Sequence, residues 1–156
     1  MSKTHYIRQV QTLPVPVEEA WEFFSNPENL VKITPASLDF RILSDITEKE
    51  IHAGQLIHYK VRPLFNVPLK WLTEITKVEK HHSFVDEQRK GPYKLWRHEH
   101  QFRAIATGTE MLDIVAYQVP FGFLGVLALP IVRKQLSSIF DYRRRKIEAI
   151  FGNFNK

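Results

Sequence analysis

Apolar and polar positions alternate with period two through most of the stretch from Asp39 to Val119, and recur at intervals of three and four in segments on either side of it. The first pattern predicts strands and the second helices. The clearest alternation follows the turn Gly91-Pro92, where Trp96, His98, His100 and Phe102 share one face and Arg97, Glu99, Gln101 and Arg103 the other. Two imidazoles therefore stand on the apolar side. An unpaired buried imidazole costs about 1–3 kcal/mol, so they require partners, or a cavity in front of them.

Strands are expected at Tyr6 to Leu13, Asp39 to Asp45, Gln55 to Arg62, Leu69 to Val78, Ser83 to Arg89, Trp96 to Ala106 and Glu110 to Val119. The inward face of the first is left open by its pattern. In the last, Leu112, Ile114 and Ala116 read as the inner row, which turns Asp113 outward. After Pro14-Val15-Pro16, the positions Val17, Ala20, Trp21 and Phe24 predict a short amphipathic helix with Glu18 and Glu19 in its first turn. Asn26-Pro27 starts a second short helix that Thr34-Pro35 ends. Pro130 is placed in the first turn of a terminal helix of about five turns, along which Val132, Leu136, Ile139, Phe140, Arg143, Ile147, Ile150 and Phe151 recur.

A strand, two short helices, six strands with short connections and a long helix make an α+β chain with an antiparallel sheet. Seven strands curving round one helix do not fill all the space between them, so a pocket there is expected.

At 156 residues the chain, 1–156, is read as a single domain. The absence of cysteine excludes disulfides, thiolate catalysis and cysteine-ligated metal, and with no signal-peptide core at the N-terminus the expected location is cytoplasmic. Val119 to Val132, the longest apolar stretch, is shorter than the ~20 residues that span a bilayer and is interrupted by Pro120 and Pro130, so no transmembrane segment is expected. The formal charge of +5 bears on solubility and non-specific association rather than on a site. Its densest run, Arg143 to Lys146, reads mostly as a solvated helix face. Zinc-finger spacing, an RNP-like strand and a Gly-rich phosphate loop are all missing, so specific nucleic-acid binding is not expected.

The order of elements, the segment Val17-Glu18-Glu19-Ala20-Trp21-Glu22-Phe23-Phe24, the segment Asn26-Pro27-Glu28-Asn29-Leu30 and the long final helix together resemble the START-like, or SRPBCC, superfamily over nearly the whole chain. Ile33-Thr34-Pro35, Phe84-Val85-Asp86-Glu87-Gln88, the run from Gly91 to Phe102, and Met111-Leu112-Asp113 ahead of Tyr117-Gln118-Val119-Pro120 resemble more narrowly its small bacterial ligand-binding members, some labelled cell-division-inhibitor-like. The resemblance implies a helix-grip fold, a seven-stranded curved sheet around the C-terminal helix, with a cavity for lipids, polyketides or other apolar molecules. It also makes Asp113 look important, against its outward placement. It does not choose among carriers, cyclases and oxygenase domains.

If Phe84 faces inward, Asp86 and Gln88 do too, beside the strand of His98 and His100. On residues alone these groups satisfy one another, recognise the polar end of a ligand, or act as general base and orienting acid, with His98, His100 and Asp86 the catalytic candidates. Two histidines one residue apart plus Asp86 also suit a metal, but no glutamate follows within Gln101 to Thr107, and no metal or other cofactor is expected. His81-His82 reads as a solvated turn. Trp21, Phe24, Phe40, Phe65 and Phe102 read mainly as core, while Tyr59, Trp71, Phe84 and Trp96 are placed at the pocket, and Phe102 shares their face. Phe121 to Leu127 reads as a gate, a buried connection, or a patch for transient membrane or protein contact. Three functions follow: binding or transport of a hydrophobic small molecule or lipid, a cyclase or dehydratase using His98 or His100, and an interaction module working through Phe121 to Leu127.

Overall fold

Short connections force neighbouring strands to run antiparallel, and the computed structural model, which describes residues 3–48, 50–63 and 66–153, follows that rule from β2 onward. Its elements are β1 (His5–Leu13), α1 (Val17–Phe24), α2 (Pro27–Lys32), a 3-10 turn at Ala36–Leu38, β2 (Arg41–Ile42), β3 (Leu56–Val61), β4 (Leu69–Glu79), β5 (Ser83–Lys90), β6 (Leu95–Ile105), β7 (Gly108–Gln118) and α3 (Gly122–Phe151). The single sheet has the order β1-β7-β6-β5-β4-β3-β2, so the first strand returns beside the last. Register shifts between Leu72 and Thr73 and between Ile75 and Lys77 mark irregularities in β4 of the kind that bend a strand.

Helix α1 buries Ala20 and Trp21, and the indole meets Phe84 and Phe102 edge-on at 5.7 and 5.6 Å. Helix α2 begins where Asn26 Oδ1 accepts from the Glu28 N–H at 3.0 Å, with Pro27 in the first turn. One apolar cluster joins these helices to β3 through β7 and to Ile147 of α3. A second packs Val132, Leu136 and Phe140 of α3 on Val115, Tyr117 and Val119. Between the two lies a cavity.

Three expectations need correction. In β7 the inner row is Thr109, Met111, Asp113, Val115 and Tyr117, so Asp113 points inward and is 1% exposed. The opposite row, with Leu112, Ile114 and Ala116, is half-buried, so apolar residues occupy both faces and the pattern lacked contrast. The strand expected at Asp39 to Asp45 is only two residues long. Helix α3 starts at Gly122 rather than Pro130 and runs for 30 residues, about eight turns. Phe121 to Leu127 is therefore not a buried connection: Phe121 initiates the helix in the left-handed region (φ 65°), and Gly125 is the segment's only buried member. Glycine is required at 125 because a Cβ would run into the Pro120 carbonyl oxygen. By length and composition α3 is long and apolar enough to cross a membrane. Phe65 lies outside the described residues.

Candidate functional site

The cavity occupies about 200 Å³ between α3 and the strands β3 to β6, closed at one side by residues of α1 and α2. Aromatic and aliphatic side chains supply most of its wall: Phe40, Tyr59, Trp71, Phe84, Trp96 and Phe140 among them. Trp71 and Trp96 meet at 5.4 Å edge to face, and Tyr93 touches both, at 5.9 and 4.9 Å. Ionisable groups enter that wall at Asp86, His98, His100 and Arg143, and Asp113 stands just behind them.

Strand register brings these groups together. Asp86 lies opposite His98 and Phe84 opposite His100 across β5 and β6, while His100 lies opposite Asp113 across β6 and β7. The hydrogen bonds run diagonally: His100 Nε2 donates to Asp86 Oδ2 at 2.7 Å and His98 Nε2 donates to Asp113 Oδ1 at 2.8 Å. The two imidazoles stack with ring centroids 3.7 Å apart, and Phe84 covers the His100 ring at 4.0 Å. From α3, Arg143 Nη2 reaches Asp113 Oδ1 at 3.4 Å, so this arginine, a member of the inward stripe, is buried while Arg144, Arg145 and Lys146 form the solvated face expected of most of the run.

Burial opposes charge on every member, yet the pairing overrides it for the carboxylates. For Asp113, desolvation pushes the carboxyl up, but Arg143 and the two histidines outweigh it and hold it well below the usual range. Asp86 is likewise drawn down, against its own burial, chiefly by His100. The histidines divide. Burial and the neighbouring His100 push His98 down, whereas at His100 the same burial is outweighed by Asp113 and Asp86 and the value rises. Geometry agrees, since His100 Nδ1 lies 3.2 Å from Asp113 Oδ1 and both ring nitrogens then face carboxylates. With His100 an imidazolium, two carboxylates face two cations and the cluster is neutral. His98, neutral with Nε2 protonated, keeps Nδ1 as an acceptor.

Of the residues expected at the site, Tyr59, Trp71, Phe84, Asp86, Trp96, His98 and His100 line the cavity. Two do not. Gln88 closes the β5–β6 turn, donating to the Tyr93 carbonyl at 2.6 Å and accepting its N–H at 3.1 Å. Phe102 is on the expected face but packs under Trp21 and Phe24. Asp113 and Arg143 were not on the expected site list. The signal for Arg143 was its place in the inward helical stripe; for Asp113 it was the pairing of β7 with the histidine strand. Ligand atoms of Asp86, His98 and His100 lie within 4.8 Å of one another, close enough for a cation. The donor set fits poorly, because Arg143 is in the same cluster and both His100 nitrogens face carboxylates.

Residues 13–139 match the family model described as polyketide cyclase / dehydrase and lipid transport. Among solved structures, protein Ms6760 from Mycobacterium smegmatis is 16% identical, with a TM-score of 0.69 over 97% of this chain and 93% of its own. Protein CV1439 from Chromobacterium violaceum is 11% identical, with a TM-score of 0.69 over 95% and 98% of the two chains. The major latex-like protein 151 from Panax ginseng is 13% identical, with a TM-score of 0.67 over 95% and 97%. Identities this low carry the fold alone. No curated protein matches the chain in sequence.

Proposed function

Because the chain belongs to the polyketide cyclase / dehydrase and lipid transport family, we propose that it holds a hydrophobic small molecule or lipid segment in the cavity between α3 and the sheet. The polar end of the guest meets Asp86 and His98, and its apolar body meets Trp71, Trp96, Phe84 and Tyr59. One observation carries this reading: an apolar chamber of about 200 Å³ whose ionic groups are paired with one another. A neutral, internally bonded cluster gives orientation to a guest without needing to react with it. The volume lies below the roughly 300–1,000 Å³ of drug-sized pockets, which favours a small guest or one end of a longer chain. Native mass spectrometry of protein purified from its own host, followed by a screen of apolar compounds and fatty acids, tests the reading. A co-purifying or screened apolar ligand is expected; the absence of any bound or bindable apolar ligand contradicts it.

An enzymatic reading rests on His98. Asp113 fixes its tautomer so that Nδ1 carries a lone pair, the arrangement a general base requires, whereas His100 has both nitrogens directed at carboxylates. A cyclase or dehydratase built on this cavity would use His98 as base.

A separate surface supports a role in delivery. Phe123, Leu124, Leu127 and Ile131 stand exposed on the side of α3 away from the sheet, preceded by Phe121 at 82% exposure. Arg133 and Lys134 follow directly, in a chain of net charge +5. An apolar stripe next to cations complements an anionic bilayer surface, with the helix lying in the interface. Beyond Ile131 the same helix packs on the sheet through Val132, Leu136 and Phe140, so it lies on the membrane instead of crossing it.

A further inference from the structure

We infer that the cavity selects a neutral guest bearing a hydrogen-bond donor, a hydroxyl or phenol on an apolar body, and rejects the carboxylate of the same size. The inference rests on the cavity being a guest site, as proposed above. Asp86 is the accessible polar anchor: it lines the cavity with 20% of its side chain open, and only Oδ2 is committed, to His100. An ionised carboxylate offers about four acceptor positions, so it has capacity left for a guest O–H. Two donors of the cluster are closed off. His100 Nδ1 faces Asp113 Oδ1 at 3.2 Å, and Arg143 Nε, which has no partner, is wholly buried, so an acceptor oxygen on a guest reaches neither.

Charge points the same way. The groups that face Asp86 are His98 and His100 from β6, Tyr59 from β3 and Arg143 from α3, with Asp113 of β7 behind the histidines. Helices α1 and α2 contribute Phe23, Phe24, Asn29 and Leu30 to the lining, and no ionisable side chain. Arg143 and the His100 imidazolium already offset Asp86 and Asp113, which leaves no spare cation for a third carboxylate. An acid therefore enters only with a proton, while a hydroxyl leaves the balance unchanged.

Calorimetric titration of the intact protein with naphthalene, 2-naphthol and 2-naphthoate separates the terms. At neutral pH, 2-naphthol is expected to bind more tightly than naphthalene, and roughly tenfold or more tightly than 2-naphthoate. Asp86→Asn, checked for folding by thermal melting, narrows the gap between naphthol and naphthoate. Should that variant not fold, the wild-type protein decides: naphthoate affinity rises by about tenfold for each unit of pH lowered while naphthol affinity stays level. Naphthoate binding as tightly as naphthol, or naphthol no more tightly than naphthalene, overturns the inference with the guest cavity intact. Failure of all three to bind overturns the cavity reading and this inference with it.

Discussion

Asp113 is the residue on which the buried cluster depends, since His98, His100 and Arg143 all approach its Oδ1. Removing it leaves Arg143 as an uncompensated buried charge, so Asp113→Asn is expected to cost about 3–5 kcal/mol, measured by urea denaturation. A loss under about 1 kcal/mol would show that water, not protein, solvates these charges. The histidines shape stability against pH in opposite senses. A raised value at His100 contributes stability that is fully present below 6.5 and is lost as pH rises through the higher folded value. A lowered value at His98 contributes stability present above 6.5 and lost as pH falls through its folded value. Denaturation of His100→Gln across this range should therefore lack the decline expected on the alkaline side in the unaltered protein. An unchanged profile would mean that His100 is not held as an imidazolium. The histidines were readable because β6 alternates cleanly, and Asp86 only on the condition that Phe84 faces inward, since Ser83, Phe84 and Val85 are all buried. Asp113 was not, because Leu112, Ile114 and Ala116 make its strand equally apolar on the other side.

Helix α3 shows where pattern reading stopped at the level of an element. Its second half has one buried stripe, and its register follows from Val132, Leu136, Phe140, Arg143 and Ile147. Its first half is apolar on the exposed as well as the buried side, so periodicity vanished there and Pro130 looked like a beginning. A proline inside a helix costs about 3 kcal/mol, and nothing in the sequence announced that tertiary packing would offset it. Packing at Gly125 fixes the start. Alanine there gains about 1 kcal/mol of helix propensity, but its Cβ meets the Pro120 backbone oxygen, which has no rotamer by which to move away. Overpacking of about 1–3 kcal/mol wins, and Gly125→Ala should lower Tm by about 2–6 °C in calorimetry. An equal or higher Tm would mean that the beginning of α3 is not seated on the end of β7.

Over the whole molecule, the antiparallel sheet, the two short helices after β1 and the terminal helix were legible from the order of alternating and helical segments and from turn residues such as Gly91-Pro92. How far the interior is filled was not, because that depends on side chains from five strands and three helices meeting at once. The outer surface divides into a mostly polar sheet face and the apolar beginning of α3. In sedimentation with vesicles, the protein should follow anionic vesicles more than neutral ones, and Phe123→Asp with Leu127→Asp should abolish it. Equal binding by that double variant would remove the membrane from the account.

The central claim is that the chamber under α3 accepts a guest. A nuclear magnetic resonance titration of the isotope-labelled protein with naphthalene reads it directly, through the indole N–H signals of Trp71 and Trp96, which line the chamber, and of Trp21, which does not. Saturable shifts at Trp71, Trp96 and the backbone of β5 and β6, with Trp21 little changed, are the predicted result. Shifts confined to the exposed stripe from Phe121 to Ile131, or none at saturation, would contradict it.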